Sequence, residues 1–392
     1  MDIRLKWLGT ASQLPGHDVN AAVMDSPLLD HSGDVRLMFS GGGQRLSWIA
    51  HHATTFVAGD SAQLAQAGGT LLDQTPRGDQ RRLADLTGRI DDGDRHDAFH
   101  RLDRLALKYR GDMWSLTLGR EAVSWGSGRV FQPMDLFNPF APTVVDRDYK
   151  AGDDLIHFQR LFDNGSDLEL LAVGRRDEDQ QVTGQAASVA AKLHGFWGLL
   201  EYEVMAAKHY RDQVLGVSMR VPVGGALIRA DVVANRLADG GTRTSGILNV
   251  DYSFELNGKS VYLFGEYFHN GFGLDELDPT APLNDALVAR LRRGEVFSLM
   301  KDYTAVGGNI QWHALLTQSM TVLTNLHDGS SLLQTSFVYD PGDRQRVEVG
   351  LTLPMGRAGD EYGGVPVGVS PEGNVLTSGG GARGYVRWVF YL

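Results

Sequence analysis

The sequence predicts an all-β fold, a closed antiparallel transmembrane β-barrel of about eighteen strands, within a range of about 16–20. Three observations predict it. Apolar and polar residues alternate along many segments, the connections between these segments alternate between short and long, and the chain ends on an apolar strand. No apolar run approaches the ~18 residues of a transmembrane helix, but a barrel wall needs only every second residue to be apolar. We therefore expect the whole chain, residues 1–392, to form one barrel domain.

Alternation at period two identifies the individual strands. Leu248, Val250 and Tyr252, for example, share one face of a segment whose other face has Asn249 and Asp251. Most such segments are close to the ~9–11 residues that a tilted strand needs to cross a bilayer. The predicted strands lie near residues 2–8, 34–40, 44–57, 100–110, 112–120, 152–162, 166–175, 184–194, 196–209, 212–222, 225–236, 243–256, 258–270, 303–314, 317–327, 331–340, 344–354 and 383–392.

The connections between these strands form two classes. Every second connection is short and contains glycine or asparagine, which reach the positive φ that tight hairpin turns require. These turns are Gly41-Gly42-Gly43, Arg110-Gly111-Asp112, Asp163-Asn164-Gly165, Pro222-Val223-Gly224, Asn257-Gly258 and Pro341-Gly342-Asp343. The intervening connections include all the long ones, at 9–33, 58–99, 121–151, 271–302 and 355–382. We expect the short turns on the periplasmic rim and the long loops on the extracellular rim.

The final strand is the sharpest single signal. Val386, Trp388 and Phe390 alternate with Arg387 and lead to the terminal Leu392. This chain end resembles the aromatic-rich closing strand of bacterial outer-membrane β-barrels, although Leu replaces the more common terminal Phe. The resemblance implies a location in the bacterial outer membrane. The first residues enter a strand pattern directly, without an apolar leader segment, as expected for the mature form of an exported protein.

Composition and charge exclude several classes of function. The chain has 48 glycines and no cysteine, so disulfides, thiolate nucleophiles and cysteine-ligated metals are excluded. The net charge of −11 argues against a nucleic-acid partner. His51, His52, His96 and His100 lack a metal-ligand spacing, and no Ser-His-acid constellation can be assigned. We therefore predict no cofactor, no metal site and no enzymatic activity.

Strand parity assigns charged side chains to a polar lumen. The basic candidates lie on the first and last strands, which closure makes neighbours: Arg4, Lys6, Arg36, Arg45, Arg104, Lys108, Arg346 and Arg387. The acidic candidates lie on the middle strands, and therefore on the facing wall: Glu169, Glu201, Glu203, Asp231, Asp251, Glu255 and Glu266. Lys192, Arg220 and Arg229 interrupt the acidic wall, and Glu348 interrupts the basic one. Opposed walls would create a transverse field that selects solutes; alternatively, these charges simply pair across strands.

The long loop at 121–151 holds the densest cluster of aromatic, proline and charged residues. Such a composition is unusual for a solvated loop, and it predicts a folded segment. General porins fold the corresponding loop, between the fifth and sixth strands, into the lumen, so we expect a constriction there; a cap packed on the rim is the alternative. The candidate constriction residues are Arg120, Trp125, Arg129, Asp135, Phe137, Asp146, Arg147 and Asp148.

A motif across this loop resembles a known group of proteins. It begins with Gly119-Arg120, Trp125-Gly126 and Gly128-Arg129, continues through Pro133, Asp135, Phe137, Pro139 and Pro142, and ends with Asp146, Tyr149, Gly152 and Asp154. Over these ~35 residues the chain resembles poorly characterised proteobacterial porin-like barrels, some of them barrel subunits of outer-membrane electron conduits.

The resemblance implies a porin for passive diffusion of small polar or charged solutes. The alternative is a barrel sheath for a periplasmic partner such as a multihaem cytochrome; without a Cys-x-x-Cys-His motif here, any haem would belong to that partner. Outer-membrane lipid and lipopolysaccharide are the other expected partners.

Overall fold

The computed structural model describes residues 1–66, 79–137, 139–142, 149–150, 152–370 and 373–392. The predicted residues Asp146, Arg147 and Asp148 lie outside these ranges. The first strands are β1 (Asp2–Ser12), β2 (Leu28–Gly42), β3 (Leu46–Gly59), β4 (Thr87–Gly93), β5 (His96–Arg110), β6 (Trp114–Glu121) and β7 (Asp153–Leu161). They are followed by β8 (Asp167–Val173), β9 (Ser188–Trp197), β10 (Leu200–His209), β11 (Asp212–Val223), β12 (Ala226–Arg236), β13 (Thr242–Leu256) and β14 (Lys259–His269). The last are β15 (Asp302–His313), β16 (Leu316–Asn325), β17 (Ser331–Gly342), β18 (Gln345–Met355), β19 (Val365–Val369), β20 (Val375–Ser378) and β21 (Arg383–Tyr391).

The strands form one closed antiparallel barrel. Each barrel strand pairs with its neighbours in sequence, and β21 pairs with both β18 and β1, which closes the sheet. The main sheet has 19 strands, of which β4 pairs only with β5 as an extension above the rim. Eighteen strands therefore build the wall, and the predicted fold class is confirmed.

Short and long connections lie at opposite rims of this barrel. Asn257 and Gly258 join β13 to β14 with φ of 50° and 71°, the left-handed backbone that a two-residue hairpin turn requires. The opposite rim has the long connections, which include a 3₁₀ turn (Val19–Ala22), the helices α1 (Asp60–Gln66) and α2 (Asp285–Arg293), and the hairpin β19–β20. The sequence did not predict β4, β19 or β20, which lie inside segments interpreted as loops.

One predicted lumen residue lies in a turn at the short-turn rim. Arg45 was assigned to the strand 44–57, but β3 begins only at Leu46. Arg45 lies in the turn, with its side chain exposed and its carbonyl accepting the backbone N–H of Arg110. The polar run Gly43-Gln44-Arg45 extended the apparent alternation beyond the strand, so the predicted strand began two residues too early; that Arg45 lines the lumen stays a prediction.

The two faces of the wall differ in composition. Outward side chains are large, apolar and exposed, including Trp7, Leu215 and Trp388. Inward side chains near the short turns are polar and solvent-accessible, such as Glu255 and Gln311. No helix in the described part of the chain is long and apolar enough to cross a membrane.

Near the long loops, the inward face is apolar and buried. One cluster packs Trp125, Met134 and Phe137 of the loop at 122–152 against inward residues of β7 to β12, such as Met205 and Val233. A second cluster packs Val130 and Phe131 against inward residues of β13 to β17 together with Met300 and Tyr362. The core of the protein therefore lies inside the barrel, between the wall and its own loops.

Candidate functional site

The predicted basic wall is a ladder of buried ion pairs. Arg4 Nη2 lies 3.3 Å from Asp34 Oδ1, and Arg36 contacts both Asp34, at 3.8 Å, and Asp103. Asp103 is the extra residue of a bulge in β5, because His51 pairs with Arg104 and His52 already pairs with Leu102. These two carboxylates neutralise much of the positive charge that parity alone assigned to this wall.

The remaining basic candidates differ in their surroundings. Arg387 pairs with Glu348 at 2.6 Å, so Glu348, the acidic residue that interrupts this wall, is the ion-pair partner of Arg387. Arg346 lies near the short-turn rim, 2.8 Å from Asp340. Lys6 and Lys108 are half-buried and point into the polar half of the lumen.

The predicted acidic wall is paired in the same way. Glu169 lies 3.0 Å from Lys192 and 2.8 Å from His157. Arg220 lies 2.8 Å from Glu203. The other pairs on this wall are Arg220 with Glu201 and Arg229 with Asp251. The three cations that interrupt the acidic wall are therefore its ion-pair partners, and Glu255 is the exposed carboxylate near the short turns.

Three carboxylates of this wall also hold the loop at 122–152. Glu266 accepts the backbone N–H groups of Arg129, Val130 and Phe131 at 2.7, 3.1 and 2.8 Å. Asp231, which is fully buried, accepts from Ser127 N at 3.0 Å and from Ser127 Oγ at 2.6 Å. The indole Nε1 of Trp125 donates to Glu169 at 3.1 Å. The first half of the loop is thereby fastened to the inside of β8 to β14.

The last described residues of the same loop contact the opposite wall. The Tyr149 ring lies 3.6 Å from the Arg36 guanidinium carbon and 5.0 Å from that of Arg104, and its hydroxyl is 2.6 Å from His51 Nδ1. Burial raises the pKa of Tyr149 to about 12, so the phenol stays neutral among these cations. The described residues of this loop therefore contact the inner faces of both walls.

Within the loop, most of the predicted constriction residues are packed rather than free. Asp135 is buried and pairs with Lys150, and Phe137 meets Trp125 edge to face at 5.3 Å. Arg120 lies in β6, 1% exposed, with its guanidinium bonded to Asp79 at 2.6 Å, Asp154 at 2.9 Å and two backbone carbonyls. Arg120 therefore anchors loops at the rim and is not accessible to a solute.

Arg129 is the exception in this loop. Its backbone is fixed by Glu266, but its side chain is exposed, with the guanidinium 4.8 Å from the centre of the Tyr262 ring. Among the described residues no carboxylate pairs with it. Within the described residues, Arg129 is thus an exposed cation held at a fixed place inside the barrel.

A polar triad that sequence reasoning missed lies at the rim above β9 and β10. His209 Nδ1 is 3.1 Å from Ser188 Oγ, and His209 Nε2 is 2.9 Å from Glu295 Oε1. Burial disfavours the charge of Glu295, but His209, Arg293 and Arg290 outweigh it and hold its pKa well below the usual range. Although the order resembles a catalytic triad, Ser188 is 1% exposed and its oxygen accepts a hydrogen bond from Arg175. This triad fastens the loop at 270–301 to the barrel and offers no accessible nucleophile.

The loops leave a small cleft between the segments 131–142 and 290–298. Its walls combine aromatic residues such as Phe131 and Phe272 with buried polar groups such as Asn270 and Arg290. Its existence was not predictable from alternation, but the strand ends gave a signal: Leu170-Leu171-Ala172-Val173 is apolar on both faces. Such a run indicates that the inward side chains at this end of the strand are buried as well.

Comparison with solved structures places this architecture among outer-membrane proteins. The outer membrane protein OpdK from Pseudomonas aeruginosa is 10% identical, with a TM-score of 0.58 over 100% of this chain and 97% of that one. OpdK has also been solved with vanillate, at 10% identity, a TM-score of 0.55, and coverage of 100% and 98%. OccAB3 from Acinetobacter baumannii is 10% identical, with a TM-score of 0.54 and coverage of 100% and 98%. At such identity the likeness shows the fold alone. No protein-family model and no curated protein matches the sequence.

Proposed function

We propose that this protein is a channel of the bacterial outer membrane for passive diffusion of small polar or charged solutes. The observation that supports this most directly is the loop at 122–152, which contacts both facing walls and narrows a polar lumen. The outward apolar surface suits a bilayer, and the solved barrels of like fold are outer-membrane proteins. In this proposal the short turns face the periplasm and the long loops face outwards.

Arg129 gives this channel its charge preference in our proposal. Most of the wall charges near this loop are neutralised in pairs and contribute little net field, whereas Arg129 stands on the constricting loop and pairs with no carboxylate among the described residues. A single fixed cation at a narrow point attracts anions and repels cations. Small organic anions are therefore the solutes to test first, and vanillate is a suitable choice because it was solved with the neighbouring OpdK.

Electrical recording of the purified protein tests the proposal. We expect steady single channels in planar bilayers, with a reversal potential under a salt gradient that indicates anion preference. Arg129→Gln should reduce that preference, whereas Arg45→Gln, a matched cation exposed in a short turn, should leave it unchanged. Absence of conductance contradicts the channel, and equal reversal potentials for both variants contradict the role of Arg129.

The alternative function, a sheath around a periplasmic partner, is not favoured. A partner inside the barrel would need the space that Trp125, Phe131 and Tyr149 occupy. A very large or unstable conductance, as expected of an emptied sheath, would favour that alternative. An enzyme is not favoured either, because Ser188 of the one triad we find in the described residues is inaccessible.

A further inference from the structure

An exposed row of polar residues crosses the outward face of four strands at the long-loop rim. Strand register places Lys208 beside Gln213, Gln213 beside Arg236, and Arg236 beside Thr242. All four side chains are exposed and point away from the lumen. Lys208 and Arg236 are two strands apart, which is roughly 10 Å at the usual strand spacing.

The charges of this row are not neutralised by the protein. Lys208 Nζ donates to the carbonyl of Gly184, which leaves its charge uncompensated. Arg236 has no ion pair, and no carboxylate contacts either cation among the residues that the structure describes. Two such cations beside an apolar face can bind an anionic group from outside the chain.

Directly beneath this row lies an apolar groove. It extends over the outward faces of strands from β7 to β13. Its floor is low because the next outward positions of β10 and β12 are Ala206 and Ala234, whereas Leu215 and Leu170 stand beside them with exposed side chains. The neighbouring strands from β7 to β13 span roughly 30 Å at the usual strand spacing, so several acyl chains fit side by side along this apolar face.

We propose that the groove and its basic row form a binding site for a lipid with a phosphorylated headgroup and several acyl chains. The acyl chains would lie in the groove, and the headgroup phosphates would contact Lys208 and Arg236. The inference rests on the proposed function, since the long-loop rim then lies in the outer leaflet, where lipopolysaccharide is the lipid of this chemistry. A second copy of this chain is a poorer occupant, because a two-fold interface would bring the two basic rows together.

Binding of purified lipid A to the full-length barrel tests this site. In mild detergent, native mass spectrometry should show one lipid A per wild-type barrel, in preference to phosphatidylcholine. The double variant Lys208→Gln with Arg236→Gln should bind on the order of 30-fold more weakly. Arg160→Gln is the matched control, because Arg160 is an exposed cation on the outward face of β7 near the opposite rim. It should bind lipid A like the wild type.

A second variant separates the groove from its charges. Ala206→Trp keeps both cations but fills the floor, and it should also weaken lipid A binding. The inference is overturned if the double variant binds lipid A as tightly as Arg160→Gln does. It is also overturned if the wild-type barrel binds phosphatidylcholine as tightly as lipid A. The inference is also overturned if the wild-type barrel forms a dimer in native mass spectrometry and Ala206→Trp abolishes that dimer. A barrel that conducts but binds no lipid A contradicts this site alone, whereas one that binds lipid A without conducting contradicts the channel alone.

Discussion

Glu361 is the side chain whose ionisation we expect to control attachment of the last long loop. Its carboxyl accepts hydrogen bonds from Leu299 N at 2.8 Å, Tyr303 Oη at 2.6 Å and Asn325 Nδ2 at 2.9 Å. Burial raises the pKa of Glu361 to about 7, with Asp328 adding to the effect and the hydrogen bonds opposing it. These contacts join the loop after β18 to the loop before β15, to the start of β15 and to the end of β16.

This raised pKa predicts that the loop opens as pH rises. The folded pKa lies above the usual carboxyl value, so the stabilisation is complete below pH ~4.5 and is lost as pH rises through about 7. Amide hydrogen exchange in residues 356–364, corrected for intrinsic rates, should therefore be on the order of tenfold faster at pH 8 than at pH 5.5. Glu361→Gln should remove the pH dependence, whereas Asp360→Asn, at the neighbouring carboxylate, should retain it. A wild-type rate that does not change with pH contradicts the prediction.

Single residues also show where sequence reasoning reached its limit. Parity placed Arg4, Arg36 and Glu203 on the inward face, and all three are buried there. It overlooked Asp103 because that residue belongs to a bulge, where parity changes within the strand. Arg120 was assigned to a constriction, but its bonds to Asp79 and Asp154 depend on loop folding, which no local pattern specifies.

At the scale of elements, we expect the position of the loop at 122–152 to depend strongly on the Glu266 carboxylate. Glu266→Ala removes the acceptor for three consecutive backbone N–H groups, and each buried unpaired group costs about 1–3 kcal/mol. The loop should then leave the wall of β14, which widens the passage. We expect single-channel conductance to rise by about twofold, with noisier open levels.

The matched control for this loop is Glu255→Ala. Glu255 is an exposed carboxylate on the neighbouring strand β13, near the opposite rim, and it holds no loop residue. Its removal should leave conductance and noise unchanged. If Glu266→Ala conducts like the wild type, the hydrogen bonds to Glu266 are not what holds the loop, and its apolar contacts and its bonds to Asp231 and Glu169 are sufficient.

Strands were predictable as elements, whereas the structure within loops was not. Alternation and turn residues are local, so they identified all eighteen barrel strands, with ends that differ by at most six residues and mostly by one or two. The hairpin β19–β20 and the strand β4 were missed because they lie within loops, where no barrel-wall alternation marks them. The 3₁₀ turn depends on a distant segment, since Asp18 accepts from Gly379 N, 361 residues away.

At the scale of the whole molecule, closure followed from the sequence but the contents of the barrel did not. An even number of strands and an apolar last strand predicted that β1 and β21 are neighbours, and their register runs from Arg4 with Tyr391 to Ser12 with Arg383. Near the long loops, the lumen is instead narrowed by long-range packing of loops on the wall. A periodic pattern cannot specify such packing, because it depends on residues more than a hundred positions apart.

The proposed orientation of the whole barrel predicts which rim faces the cell exterior. The chain has no cysteine, so single cysteines report their own positions. Asp239→Cys places a thiol in the exposed connection 237–241 at the long-loop rim, and Asp343→Cys places one in a turn at the short-turn rim. In intact Gram-negative cells, a polymer-linked maleimide too large to pass a channel should label Asp239→Cys only. Asp343→Cys should react once the outer membrane is permeabilised, because its rim then becomes accessible from the periplasm. The reverse pattern contradicts the orientation, and labelling of neither variant until the inner membrane is also broken contradicts the outer-membrane location itself.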